Sequence, residues 1–181
     1  MNNLIDGLII GCRKSGTTWL YENFLLDEDI KVSNLVKESG FFGQDEIKEK
    51  DITRYRELIN RKDNAKSLIE VDASIIYSDK FKENIEKFAP NASVVLIIRN
   101  PVDYLVSRII HSTRKGEIEM NSVETIMQSN KWLAEEINYM RMVNDFNELN
   151  VKKKTVIPYE LLKSDQILFY SIIKSALIYL E

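Results

Sequence analysis

The chain is poor in the residues that staple a fold or hold a metal. Its one cysteine, Cys12, excludes an internal disulfide and suits a reducing compartment. A single histidine beside it leaves no His/Cys ligand cluster, and no acidic cluster reads as a magnesium site. Positive charge is not in excess: 25 Lys and Arg stand against 28 Asp and Glu, and a net charge of -3 argues against a general nucleic-acid or anionic-membrane binder. No run approaches the ~18 consecutive apolar residues of a spanning helix, and no charged n-region with an apolar stretch follows Met1. The first strand pattern begins almost at the initiator, so the expectation is a cytoplasmic protein with no integral membrane segment. Hydrophobic residues at 44% and charged residues at 29% are ordinary for a soluble globular chain. With no repeat or linker visible, 1–181 reads as one domain.

Glycine is scarce too, and its placement is informative. Five of the six glycines fall in the first 43 residues, where they mark sharp turns or close approach to a ligand. Two of them frame Gly11-Cys12-Arg13-Lys14-Ser15-Gly16-Thr17-Thr18, between the apolar run Leu8–Ile10 and a helical pattern from Trp19. A strand feeding a glycine turn and a helix start presents several backbone N–H groups to one anion at the positive end of the helix dipole. Thr17 and Thr18 suit the first helical turn as cap and ligand. The nucleotide-hydrolysing pattern G-x-x-x-x-G-K-[ST] has its lysine directly after the second glycine. Here Thr17 takes that place and the loop's lysine is Lys14. The loop is built for a phosphate but not for triphosphate chemistry.

A second anion-binding pattern follows about eighty residues later. The apolar run Val94–Ile98 leads into Arg99-Asn100-Pro101-Val102-Asp103-Tyr104-Leu105-Val106-Ser107. Pro101 starts a helix well, since its missing N–H would be unpaired there. Arg99 at the strand end and Ser107 two turns along can close on one anion from two sides, the arginine offering the planar fork that matches phosphate.

Together the two stretches resemble the 5′-phosphosulfate loop and the 3′-phosphate motif of the sulfotransferases that use 3′-phosphoadenylyl sulfate (PAPS). The resemblance implies an α/β fold, a doubly wound parallel sheet flanked by helices of the P-loop-like, nucleoside-kinase-like kind. It implies PAPS as co-substrate, PAP as product and no metal. Lys14 would stabilise charge at the bridging oxygen, Ser15, Gly16, Thr17 and Thr18 would cradle the 5′-phosphate, and Arg99 and Ser107 would hold the 3′-phosphate. Lys37-Glu38-Ser39-Gly40-Phe41-Phe42 resembles the K-E-x-x-[FY]-F segment of the heparan-type carbohydrate sulfotransferases, which makes Glu38 the implied base and the acceptor a hydroxyl (or amine), saccharide-like. Phe41 and Phe42 would desolvate Glu38 and raise its pKa. Three residues common in that branch are missing: Gly40, Gly43 and Val71 stand where His, Asp and a nearby Lys are usual. Asp72, at a strand end, is a second carboxylate expected to face the same cleft, there to orient acceptor hydroxyls or to serve as the base in place of Glu38. The sole histidine, His111, does not match the histidine base of the phenol and steroid branch and reads as a surface or packing residue. Two alternatives stand beside this reading, a non-catalytic PAPS- or PAP-binding pseudoenzyme and a P-loop nucleotide kinase.

Strand-like and helical patterns alternate, as in a parallel α/β sheet. Strands are predicted at Leu4–Ile10, Lys31–Val36, Ser67–Val71, Ser93–Ile98 and Thr155–Pro158. Helices are predicted at Thr17–Leu26, Asp45–Asn60, Asp79–Phe88, Pro101–Arg114, Ser122–Leu149 and Glu160–Leu180, the fifth packing Val123, Met127, Leu133, Ile137, Met140 and Val143 inward. Lys152–Lys154 reads as a solvated turn. The pattern stops at Glu181 without the C-terminal K-G loop common in the family, so the resemblance covers most of the chain but not all of the family domain. Arg114-Lys115-Gly116 looks similar but comes too early. In a doubly wound sheet ligands bind at the carboxyl ends of the strands, where both motifs lie.

Overall fold

The computed structural model describes residues 3–59 and 67–178. Five strands, β1 (Gly7–Gly11), β2 (Ile30–Lys31), β3 (Ser67–Val71), β4 (Ser93–Ile98) and β5 (Lys153–Pro158), form one sheet in the order β2-β3-β1-β4-β5. Every pairing is parallel. β1 and β3 are buried along their whole length and β4 over all but its last residue. Covered on both faces, they read as near-continuous apolar runs rather than alternations.

The pleat sends alternate residues to opposite layers. Leu8, Ile10, Val94 and Leu96 enter one core with Phe41, Phe42, Tyr55, Phe81, Ile85 and Phe146. Ile9, Val95 and Ile97 enter the other with Leu20, Phe24, Phe169 and Ile173. Helices therefore cover both faces: α3 (Phe81–Phe88) and α7 (Tyr139–Glu148) on one, α1 (Thr17–Phe24) and α9 (Gln166–Leu177) on the other. α4 (Pro101–Arg114) follows β4 with the predicted bounds, its N-terminus capped by the Asn100 side chain, which accepts from Val102 N–H at 3.0 Å and Asp103 N–H at 3.2 Å.

Some elements depart from the sequence reading. The expected strand from Lys31 to Val36 shrinks to Ile30–Lys31, because Ser33 Oγ accepts from the Leu35 and Val36 N–H groups, both at 3.3 Å, and turns the chain. Leu4, expected to open the first strand, lies before β1. The long helix over 122–149 is three: α5 (Val123–Ser129), α6 (Lys131–Glu136) and α7. Asn130 and Asn138 break it, the latter as N-cap of α7 with its side chain accepting from Arg141 N–H at 3.1 Å. Val123 and Met140 are consequently exposed, while Ile126, Leu133, Met142 and Phe146 are buried. Asp165 likewise divides α8 (Glu160–Ser164) from α9 by accepting from Leu168 N–H at 2.9 Å. α2 (Glu49–Leu58) is shorter than predicted, and Asn60 and Leu180 lie outside the described residues. Lys153 and Lys154 belong to β5, not to a turn. No described helix is long and apolar enough to cross a membrane.

Candidate active site

The sheet register sets the site. Gly11 pairs with Ile97, so the loop after β1 and the residues after β4 leave the sheet side by side. Only glycine fits at 11, since a Cβ there would lie 2.3 Å from the Ile97 carbonyl oxygen. Gly16 has φ 78° and caps α1, and a Cβ on it would meet Leu162 at 2.5 Å. Thr17 and Thr18 are thus the first helical residues rather than caps. The loop is tied from below: Arg13 N–H donates to Tyr77 Oη at 3.2 Å, and Cys12 Sγ lies 2.7 Å from Ser15 Oγ. Ser15 is fully buried, so its hydroxyl serves the loop and does not face the cleft.

Lys14 and Glu38 are the only non-glycine residues with positive φ among those described, both at 64°. Such backbone persists where surrounding contacts over-determine it, and it concentrates at functional sites. For Lys14 the contact is Arg99, whose Nη1 donates to the Lys14 carbonyl at 2.6 Å while its guanidinium lies 4.7 Å from the centre of the Tyr159 ring. Arg99 Nε is buried with no hydrogen-bond partner, an unspent donor at the strand end.

Lys14, Arg99, Ser107 and His111 line both of two adjoining cavities, of about 390 and 700 Å³. The larger also takes in Gly16, Thr17, Thr18 and Glu38. Its walls carry Arg13, Lys14, Lys37, Arg99, Arg108 and Lys115 against the carboxylates Glu38 and Glu117. A chain of net charge -3 has gathered cations at one place. Burial first, then Arg108 and Arg99, hold the Lys14 ammonium below its ordinary pKa. A proton on such a lysine is more readily shared with a departing oxyanion.

The acceptor side differs from expectation in two respects. Phe41 is stacked on Tyr55 with ring centres 4.1 Å apart, and both phenylalanines are buried in the core, whereas Glu38 is exposed and ion-paired with Lys37. The phenylalanines do not form an apolar pocket around the Glu38 carboxylate. Asp72 is fully buried and satisfied by Gly40 N–H at 2.8 Å, Ser74 N–H at 2.9 Å and Ser74 Oγ at 2.6 Å. It fastens the 38–40 loop to the end of β3 instead of facing the cleft.

Several residues gain a place that their sequence context did not signal. His111 Nδ1 lies 3.4 Å from Lys14 Nζ. Arg108 Nε donates to Glu136 at 2.9 Å and Arg13 Nη1 to the same carboxylate at 2.6 Å, with Tyr104 Oη as a third donor. Glu136 is buried. Arg114 and Lys115, the pair that came too early for a C-terminal loop, border the cavities through the end of α4. An arginine on a helix reads as a solvated face until its buried acceptor, here on α6, is known.

The strand order, the glycine loop at the end of β1 and the arginine at the end of β4 define a P-loop-like α/β protein with a cationic strand-end cleft. A family model described as the sulfotransferase domain matches residues 4–167, and the chain belongs to that family. Over 102 residues it is 29% identical to human heparan sulfate glucosamine 3-O-sulfotransferase 6, an alignment covering 56% of this chain and 29% of that relative. The chain thus spans under a third of that relative's length. Among solved structures it is similar to a sulfotransferase from Alicyclobacillus acidocaldarius, with TM-score 0.77, 16% identity, and coverage of 97% of this chain and 81% of the other. It is also similar to mouse sulfotransferase SULT7A1 complexed with PAP, with TM-score 0.63, 19% identity, and coverage of 97% and 59%. At these identities the structures establish the fold.

Proposed function

We propose that the chain transfers a sulfuryl group from PAPS to a hydroxyl or amine acceptor, saccharide-like in kind, within 1–181 as a single domain. The observation that carries this reading is the convergence of Lys14, Arg99 and Ser107 on adjoining cavities at the carboxyl ends of β1 and β4. The unpartnered Arg99 Nε and the surplus of cations fit an anionic nucleotide. PAPS supplies the sulfuryl group and leaves as PAP. Lys14 places positive charge beside the departing phosphate, where a prepositioned donor acts most strongly. The first N–H groups of α1, at Thr17 and Thr18, have no intrahelical acceptors and serve the 5′-phosphate. Gly16 lets the backbone approach, and Ser15 contributes through its backbone. Arg99 and Ser107 hold the 3′-phosphate, while Glu38 takes the acceptor's proton once it exchanges Lys37 for the incoming hydroxyl.

PAP should raise the Tm where magnesium-ATP does not, which separates this reading from a nucleotide kinase. Ser107→Ala should weaken PAP while sparing 5′-AMP, because a hydrogen bond to a charged group is worth about 1.5–3 kcal/mol; calorimetry resolves that gap. Equal losses for both nucleotides would remove the serine from the 3′-phosphate site. Turnover of labelled PAPS over a panel of sugars then distinguishes the enzyme from a binding-only protein and names the acceptor.

A further inference from the structure

His111 is the sole imidazole of the chain, and it stands inside the cleft. It follows Ser107 by four residues on α4, so the two share a helix face. Its Nδ1, 3.4 Å from Lys14 Nζ, accepts from that ammonium only while the ring is neutral.

The charges around it are uneven. The loop after β1 contributes Lys14, β4 is followed by Arg99, and α4 with its end contributes Arg108, Arg114 and Lys115. The facing carboxylates are already engaged. Glu117 accepts from Ser112 Oγ at 2.7 Å and lies 3.7 Å from Arg108, Asp103 pairs with Lys163 of α8 at 3.2 Å, and Glu38 pairs with Lys37. Burial, then Lys14, Lys115 and Arg108, keep the imidazole below its ordinary pKa against a weaker pull from Glu117. Phosphates placed among these cations would reverse the local field.

We propose that His111 is a proton-taking ligand of the nucleotide. When phosphates fill the cleft, His111 accepts a proton from solvent, changes from acceptor of the Lys14 ammonium to donor toward a phosphate oxygen, and releases Lys14 toward the leaving group. The inference rests on the PAPS-site reading and adds to it a residue and a proton count.

A tag-free protein gives a single imidazole Hε1 resonance. Its titration midpoint should move up by about 1 pH unit or more on saturation with PAP, as expected for an opposite charge brought within contact distance. Calorimetry of PAP binding near neutral pH, in buffers of different ionisation enthalpy, should show proton uptake by the wild type. Because PAP phosphates titrate nearby, His111→Gln is the control, and it should bind PAP more weakly with that uptake reduced. An unmoved or lowered midpoint while PAP binds would overturn the role of His111 and leave the nucleotide site standing. Undiminished uptake in His111→Gln would overturn it as well. Failure of the wild type to bind PAP would remove the site reading and this inference together.

Discussion

Lys14 and Glu38 share an uncommon backbone conformation, φ 64°, and each borders the cleft. Lys14→Ala should lower kcat about 100-fold or more, the scale of losing one prepositioned charge-stabilising donor, with a much smaller effect on PAP affinity. Unchanged turnover would dismiss the lysine from its role. Glu38→Gln keeps shape and hydrogen bonding but not proton acceptance, so turnover should fall about 10²–10⁴-fold at constant PAP affinity. Asp72→Asn makes a matched control: its effect should appear as loosening of the 38–40 loop and a lower Tm, because its carboxylate is already saturated by Gly40 and Ser74. Should Asp72→Asn stop turnover in a fully folded protein while Glu38→Gln stays active, the two carboxylates have been given the wrong roles. Contiguous placement was legible at this scale, since Lys14, Arg99 and Ser107 line the same two cavities. Lys14, Arg99 and Ser107 sit in short patterns whose spacing alone implies an anion. His111, Arg13 and Arg108 carried no such signal, because their meaning comes from partners roughly 30 to 120 residues away. Asp72 was misread because a strand-end carboxylate looks the same in sequence whether it faces a cleft or a backbone turn.

The elements around the cleft are joined by one buried carboxylate. Glu136 of α6 receives Arg13 from the loop after β1 and Tyr104 and Arg108 from α4. Arg108 also lies 4.6 Å from the centre of the Trp132 ring. Removing one partner from a buried, charged network leaves the others unpaired, a loss of about 3–5 kcal/mol. Glu136→Ala should therefore shift the urea midpoint strongly downward, and Glu136→Gln should do so less because an amide oxygen still accepts. A surface-like effect below about 0.5 kcal/mol would contradict the burial. Helix bounds were legible where a proline and an asparagine cap fixed them, as at the start of α4. They were lost over 122–149, where apolar spacing outweighed two asparagines that break the run, and at Asp165 for the same reason. β2 was over-extended because Val32 and Val36 suggest a strand, although Ser33 supplies the turn.

At the level of the whole molecule, charge is distributed against its net sign, and part of the acid is hidden. Glu70 of β3 is buried, accepts from Ser39 N–H at 3.3 Å, from Ser39 Oγ and from Tyr55 Oη, and is pushed up to about 7, chiefly by desolvation with Asp72 adding to the rise. A carboxyl group with a folded pKa above its ordinary 4.5 keeps its proton longer in the native state. Stability from this group is fully present below about pH 4.5 and is lost as pH rises through about 7. Wild-type Tm should accordingly decline between those limits. Glu70→Gln, whose amide oxygen accepts from Ser39 while its NH2 donates to the Tyr55 hydroxyl, should flatten the decline and melt above wild type near pH 8. An equally steep decline in the variant would place the titration elsewhere.

The strand order carries one more consequence. β1 and β4 are neighbours near the middle of the sheet, whereas the segment from 32 to 37 leaves β2, a two-residue strand at the edge, and returns to the end of β3 where Val71, Glu70 and Asp72 hold 38–40. In the proposed reading, the donor grip belongs to the middle of the sheet and the choice of acceptor to an edge segment anchored to the end of β3 at 38–40. A lineage built this way can change what it modifies by rewriting an edge loop while inheriting its currency of transfer intact. The same division makes the stretch from 34 to 37 the natural segment to exchange in redirecting the chain toward a new acceptor.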